Sequence, residues 1–370
     1  MGSHGIKDKV AIVGAGCIPF REHWDKGTDD MLIEAAELAF DSAGVTKHDV
    51  DAYWLGTAQS GMAGITLAIP LKLDGKPVTR VENFCATGSE AMRNAAYALA
   101  AGAYDMVMAI GVEKVKDSGY QGLNSTPIPT DGTGRTLTAA AMYSLILPAY
   151  AHKFGVDEDE LRLSMARIAS KNHFNGARNP RAQFRKEMTP ESICNMAAVA
   201  GRLGVFDCAG VADGAAAVIM VRAEDAEKYC EDPLYIKALS FIAGNGSGVT
   251  DPRHEIAMAE VHDCFTPTEL VLMEDLGFSE RGMAWKEVMA GAFDLSGDLP
   301  VNTDGGLKAF GHPVGASGLR MMYEVWLQMR GVAEPERQIT TSKKLALTHN
   351  LGGYPGEMVS FVGIYGTELG

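Results

Sequence analysis

Apolar residues recur along this chain in two rhythms. The run "KVAIVGAG" (9–16) is short and almost wholly apolar, which predicts a buried strand, while "DMLIEAAELAFDSAG" (30–44) repeats its apolar positions at helical spacing and stops at Gly44. "VDAYWLGTA" and "TRVENF" predict the next strands. A helix of small residues, among them Ala86, Gly88, Ser89, Ala91, Ala95, Ala96 and Ala98, then starts at Cys85 and leads into the apolar strand "YDMVMAIGVEKV" (104–115). Strands alternating with helices predict an α/β fold, with a largely parallel sheet covered by helices on both faces.

The later part of the chain repeats this grammar. "LYIKALSFIAG" and "EIAMAEVHDCF" predict strands, "GHPVGASGLRMMYEVWLQMRG" a glycine-rich loop feeding a helix, and "KLALTHNLGG" and "MVSFVGIYG" two closing strands. A local echo, "AGVTKHDVDAYWLG" against "SGVTDPRHEIAMAEV", marks an internal duplication into halves 1–230 and 231–370, in which the helix at Cys85 corresponds to the one after His312. The second half has only "GNGSG" where the first has a helix, and a parallel crossover needs about a dozen residues. A helix is therefore expected to be lacking near 246–249. Residues 117–200, opening on "NSTPIPTDGTGRT", break the alternation and predict an inserted loop domain over the sheet's edge.

Composition narrows the partners. A chain of 370 residues, 46% of them apolar, buries a large core, and a formal charge of −14 argues against nucleic acid or an anionic membrane as the main partner. Six cysteines (17, 85, 194, 208, 230 and 264) form no CxxC pair, which points to a reducing compartment and to no metal site. The start shows no secretory pattern, no apolar run reaches membrane-spanning length and the last residues are no peroxisomal address. A cytoplasmic location is the resulting expectation.

Four stretches carry candidate chemistry. Cys85 stands where a strand-like run meets a helix, and the unpaired N–H groups and positive dipole end expected there lower a thiol's pKa and make a nucleophile. The plainer alternative is a small buried hydrophobe. "EVHDCF" (260–265) puts His262 and Cys264 on one side of a strand end, where thiol and imidazole can share proton transfer. "DGGLKAFGHPVGASG" (304–318) presents His312 in a loop whose glycines allow close backbone approach, and "THNLGG" (348–353) offers His349 and Asn350 with backbone N–H groups freed at Gly352 and Gly353. Read alone, each histidine fits an ordinary structural residue. All four stretches nevertheless fall at junctions where open α/β sheets place ligands, and together they describe a thiol nucleophile with histidine bases and an oxyanion site. "VGAGCIP" only imitates a dinucleotide fingerprint, because Pro19 takes the third glycine's place. The basic residues from Arg167 to Lys186, among them Arg178, Arg181, Arg185 and Lys186, have no acid between them and form either a phosphate-holding island or a solvated face.

"NFCATGSEA", "ADGAAAVIM" (212–220), "EVHDCF", "GHPVGASG" and "THNLGG" together resemble the motifs of the thiolase superfamily, most closely its sterol-carrier-protein type branch, over nearly the whole chain. The resemblance implies a five-layer α-β-α-β-α arrangement of two duplicated halves, no permanently bound cofactor, and coenzyme A as substrate or product. It implies that Cys85 takes an acyl group from a coenzyme A thioester while His312 takes the thiol proton. Cys264 then moves the proton on the α-carbon of the nucleophilic substrate, in a Claisen condensation or its thiolytic reverse. His262 and His312 form the first oxyanion site, and the N–H groups of Cys85 and a glycine near Gly352 the second. "HNLGGYPG" departs from the branch's glycine spacing by inserting Tyr354 and Pro355, so that second donor is left to be placed. The family also implies a homodimer or tetramer, with the small-residue helix packing at the dimer. Its relatives include aldolases of sterol side-chain thioesters and acetyltransferase subunits that work with a small OB-fold partner protein. A reading of another class is an acyl-CoA or lipid-binding component with little turnover.

Overall fold

The computed structural model describes residues 5–116, 133, 138–243, 255–355 and 357–370. Every residue of β1 (Val10–Cys17) is buried, as its unbroken apolar run requires. The chain continues through α1 (Thr28–Ala43), β2 (Ala52–Gly56), α2 (Ile65–Leu71), β3 (Val78–Val81), α3 (Thr87–Ala100) and β4 (Met106–Glu113). Gly44 ends α1 at φ +65, a left-handed cap that suits a residue without Cβ. An excursion then carries α4 (Ala139–Ser144), α5 (Ile146–Phe154), α6 (Glu158–Ala177), α7 (Pro190–Cys194) and the small hairpin β5 (Ala198–Ala200) and β6 (Leu203–Gly204). The chain returns at β7 (Gly214–Arg222) and β8 (Leu234–Ala243). It closes with β9 (Ile256–Glu260), α8 (Thr266–Asp275), α9 (Ala284–Ala290), α10 (Gly306–Phe310), α11 (Ser317–Met329), β10 (Leu345–Tyr354) and β11 (Glu357–Gly366).

The nine large strands form one sheet in the order β3-β2-β4-β7-β1-β8-β11-β10-β9. Its two ends show the duplication directly. In the first half β2 runs parallel to β3 and β4, and β4, β7 and β1 follow antiparallel. In the second, β9 is parallel to β10 and to a single bridge at Val301, and β10, β11 and β8 follow antiparallel. Within the sheet, among the described residues, the halves pair at Ala11 with Tyr235 and at Ile12 with Leu234.

The expectation of a largely parallel sheet is corrected. Helical crossovers make neighbours parallel only around β2 and β9, whereas the excursion after β4 and the tight turn after β10 reverse the chain. The layers are otherwise as the resemblance implied. α1 covers the outer face of β1, β7 and β4, while α11 packs on β7 and β1 on one side and on β10 and β9 on the other, with α3 beside it. Leu270 and Met273 of α8 share a core cluster with Leu347 and Leu351 on the far face of β10, which completes the fifth layer. The helix expected to be lacking near 246–249 lies outside the described residues.

α3 and α11 approach so closely because their facing residues are small. A Cβ on Gly88 would lie 2.8 Å from the Gly315 carbonyl oxygen, and one on Gly318 would lie 2.2 Å from Ser89 Oγ. The small-residue face of α3 is thus used inside the chain. This contact sets the turn before α3 beside the loop before α11, and so brings two of the four candidate stretches together.

Candidate active site

The expected helix start at Cys85 falls two residues later, because residues 83–87 form a tight turn. Phe84 has φ +50, a left-handed conformation rare for a bulky residue. The turn is closed by Thr87, whose N–H donates to the Phe84 carbonyl at 3.1 Å and whose Oγ1 accepts from the Asn83 N–H at 2.8 Å. Cys85 is held at the tip. Against it lies Gly352, where a Cβ would stand 2.5 Å from the Asn83 carbonyl oxygen.

Three side chains from three elements converge there. The Cys85 sulfur and one ring nitrogen each of His262 and His312 all lie within 4.8 Å of one another. The two imidazoles meet edge to face, with centroids 5.4 Å apart. Their outer hydrogen bonds decide their tautomers. The Ser317 hydroxyl donates to the Pro313 carbonyl at 2.9 Å, so it accepts from His312 Nδ1–H at 2.7 Å, which leaves a lone pair on His312 Nε2. At His262 the order is reversed: Ser89 donates to Asn350 Oδ1 at 3.1 Å and Asn350 Nδ2 donates to His262 Nδ1 at 3.0 Å. The proton of His262 therefore sits on Nε2. Both Nε2 atoms are buried without a partner, one as an acceptor and one as a donor.

The expected lowering of the Cys85 pKa is corrected. Burial pushes the thiol up to about 12, outweighing the backbone N–H groups of Cys85 and Gly353 that point at the sulfur. Burial likewise holds His312 down to about 3, with Arg320 adding to it, and holds His262 well below its ordinary value. The resting site is a neutral thiol between neutral imidazoles. The three atoms have the spread of a soft-metal ligand set, but the Nε2 proton on His262 occupies one of the lone pairs such a site needs.

Cys264 is buried, with its sulfur 3.8 Å from Thr268 Oγ1, and burial also raises its pKa, with Cys85 next in effect. Gly353, at φ +98, supplies an N–H that faces the Cys85 sulfur. His349 lies on the opposite face of β10 from Asn350 and bonds to Ser360 Oγ at 3.0 Å; it is not one of the three groups that converge at Cys85, but it is near enough to help hold the His262 pKa down.

The basic island does not survive folding as a patch. Acids from elsewhere meet it: Arg167 pairs with Asp294, Lys171 with Glu269 at 2.9 Å, Arg178 with Glu187 at 2.7 Å and Arg181 with Glu334 at 3.5 Å. Arg185 and Lys186 remain exposed.

Sequence reasoning passed over three supporting groups. Glu113 accepts from the Ala58, Gln59 and Gly315 N–H groups and the Thr57 and Ser60 hydroxyls, tying the end of β4 to the His312 loop. An acid inside the apolar run of β4 was the available signal. Ser317 lies within a motif already singled out. Tyr143, whose hydroxyl donates to the Gly353 carbonyl at 3.2 Å, carries no sequence signal at all.

A half-buried thiol facing an imidazole lone pair and an imidazole N–H, on a duplicated five-layer α/β fold, defines an acyl-transferring enzyme class. Family models agree: "Thiolase, N-terminal domain" matches residues 10–199 and "Thiolase C-terminal domain-like" matches 242–364. The chain belongs to the thiolase family, and it is a thiolase-type acyl-CoA acyltransferase. It is 34% identical to an acetyl-CoA acetyltransferase of Methanothermobacter thermautotrophicus, over 94% of this chain and 97% of the relative. It is 29% identical to Homo sapiens sterol carrier protein 2, over 93% of this chain and 70% of that protein. Among solved structures it resembles the Ltp2-ChsH2(DUF35) aldolase, with a TM-score of 0.81, 22% identity and 98% of each chain covered. No helix among the described residues is long and apolar enough to cross a membrane.

Proposed function

We propose that this thiolase makes or splits 3-ketoacyl-CoA thioesters through an acyl-enzyme on Cys85. The observation that carries the reading is the convergence of the Cys85 sulfur, the free lone pair of His312 and the N–H of His262 within 4.8 Å. His312 Nε2 takes the Cys85 proton as the sulfur attacks the thioester carbonyl, and the N–H groups of Cys85 and Gly353 receive the developing oxyanion. Cys264 gives a proton to the departing coenzyme A thiolate and later takes one from the α-carbon of the second thioester. The resulting enolate oxygen accepts from His262 Nε2–H, the α-carbon attacks the acyl carbonyl, and the Cys85 sulfur leaves and regains its proton from His312. Coenzyme A enters as substrate and leaves as product. Intact-protein mass after brief exposure to acetyl-CoA or acetoacetyl-CoA tests the reading. The expected outcome is one acetyl group on the native chain and none on Cys85→Ala, and an unmodified native chain overturns it.

A second copy of the chain completes the picture. Among the described residues β3 is an edge of the sheet, beside the Cys85 turn, and Met62, Ile65 and Ile69 next to it are exposed at 94%, 62% and 64%. The aldolase neighbour carries a DUF35 component, and this favours a second reading, a thiolase that works with a small partner protein. Co-purification of such a protein, with no turnover in its absence, supports that reading.

A further inference from the structure

The excursion after β4 delivers one hydroxyl to the site that none of the motifs announces. Tyr143, near the end of α4, is only 3% exposed. Its ring stacks on Phe265, with centroids 4.6 Å apart and planes at 26°, and Phe265 directly follows Cys264. At rest its hydroxyl donates to the Gly353 carbonyl. The Cys264 sulfur lies within reach of the same hydroxyl as an alternative acceptor. The other hydroxyl beside that sulfur, Thr268 Oγ1, stands at a long 3.8 Å.

We propose that Tyr143 is a positioning residue for Cys264, turning its O–H from the Gly353 carbonyl to the sulfur whenever Cys264 is a thiolate. The inference rests on the Claisen reading above. In that sequence Cys264 loses its proton to coenzyme A when Cys85 is acylated. It stays a thiolate until it takes a proton from the α-carbon of the second thioester. During that interval the charge lies in a buried site, balanced by the imidazolium at His312, and a buried thiolate needs a hydrogen-bond donor. Tyr143 keeps its own proton throughout, since burial and the neighbouring thiols hold its pKa far above the ordinary value. The stack on Phe265 fixes the ring, so the O–H needs only to rotate about its C–O bond to change acceptor.

The substitution Tyr143→Phe removes the hydroxyl and keeps the stack. The first readout needs no turnover: the pH dependence of Cys264 alkylation by iodoacetamide, located by peptide mass, in chains that also carry Cys85→Ser. A hydrogen bond to a charged group is worth enough to raise the Cys264 pKa by about one to two pH units on its loss. An alkylation profile that does not move overturns the proposal. The second readout is pre-formed acetyl-Cys85 consumed by acetyl-CoA. Tyr143→Phe is expected to slow that step about ten- to hundredfold at neutral pH and to shift its pH profile alkaline by the same one to two units. An unshifted profile with a rate within about twofold of native overturns it as well. If the native chain forms no acetyl-Cys85 while the alkylation profile still shifts, the Claisen reading has failed and the Tyr143–Cys264 contact stands.

Discussion

Cys85 starts as a neutral thiol beside a neutral imidazole, and this distinguishes it from thiolate–imidazolium nucleophiles. With the thiol pushed up to about 12 and His312 held near 3, an ion pair at rest is strongly disfavoured, so the proton moves only as the sulfur attacks. Native protein minus Cys85→Ser is therefore expected to show no thiolate absorbance in the ultraviolet below about pH 10. A thiolate titrating near pH 7 contradicts this assignment. Asn350 gives a second prediction at this scale. It sets the His262 tautomer, so Asn350→Leu frees the imidazole to carry its proton on Nδ1 and costs the enolate a donor. Losing one such donor is expected to slow condensation about a hundredfold, while acetylation of Cys85 still goes to completion by mass. Equal loss in both half-reactions would instead mean that Asn350 supports the whole site. These assignments were only half legible in the sequence. The motifs named His262, His312 and Cys85 correctly as neighbours, but the tautomers depend on which way the Ser317 and Ser89 hydroxyls point and the pKa values on burial, and neither is written in a motif.

Among the elements, the α3/α11 contact is the one that builds the site, since it sets the turn of Cys85 against the loop of His312. A methyl group at Gly88 would press on the Gly315 carbonyl at 2.8 Å, and Gly315 is bonded through its N–H to Glu113 at 3.1 Å. Gly88→Ala is thus expected to destabilise the fold by about 1–3 kcal/mol in urea unfolding and to lower the acetylation rate in addition, because the loop moves with it. Gly102→Ala is the control, as nothing lies within 4 Å of its Cβ position and only its φ of +73 opposes the change. A smaller loss at Gly88 than at Gly102 would show that the helices separate freely. The repeat of strand, helix and small-residue motif was readable because each element carries its own periodicity. Strand direction was not, because it depends on whether the chain crosses over or doubles back, and the excursion after β4 has no periodic pattern that says so. The pairing of the basic run 167–186 was not legible either, because its partners Asp294, Glu269 and Glu334 are distant in sequence.

The molecule as a whole buries several histidines and acids, and this has a consequence for stability. His173 and His349 are held near 4 and His312 near 3, with His262 well below its ordinary value, all by burial first. An unfolded chain would protonate each of them below about pH 6.5, so each favours the folded state above that pH and withdraws support as pH falls. Asp263, raised to about 7 by burial and then Glu269, and Glu260, raised by burial and then Asp304, act in the opposite sense. They hold protons in the folded state that the unfolded chain releases above about pH 4. With His23, also buried and held low, five groups against two leave a net uptake of up to about three protons on unfolding between pH 4 and 6.5, or up to about 4 kcal/mol lost per pH unit. Domains of ordinary stability have about 5–15 kcal/mol to lose, so the urea midpoint is expected to fall steeply below pH 6.5 and the fold to fail near pH 4. A flat profile would mean that the acids offset the histidines in full. Comparing His349→Gln with the native chain separates the contributions. It removes one proton from the uptake and one of the lesser charges acting on His262, so it should flatten the slope by about a quarter to a half. Light scattering on the same samples checks the edge at β3. Ile65→Glu is expected to shift a dimer towards monomer, whereas a native chain that is already monomeric at micromolar concentration would remove the second copy from the picture.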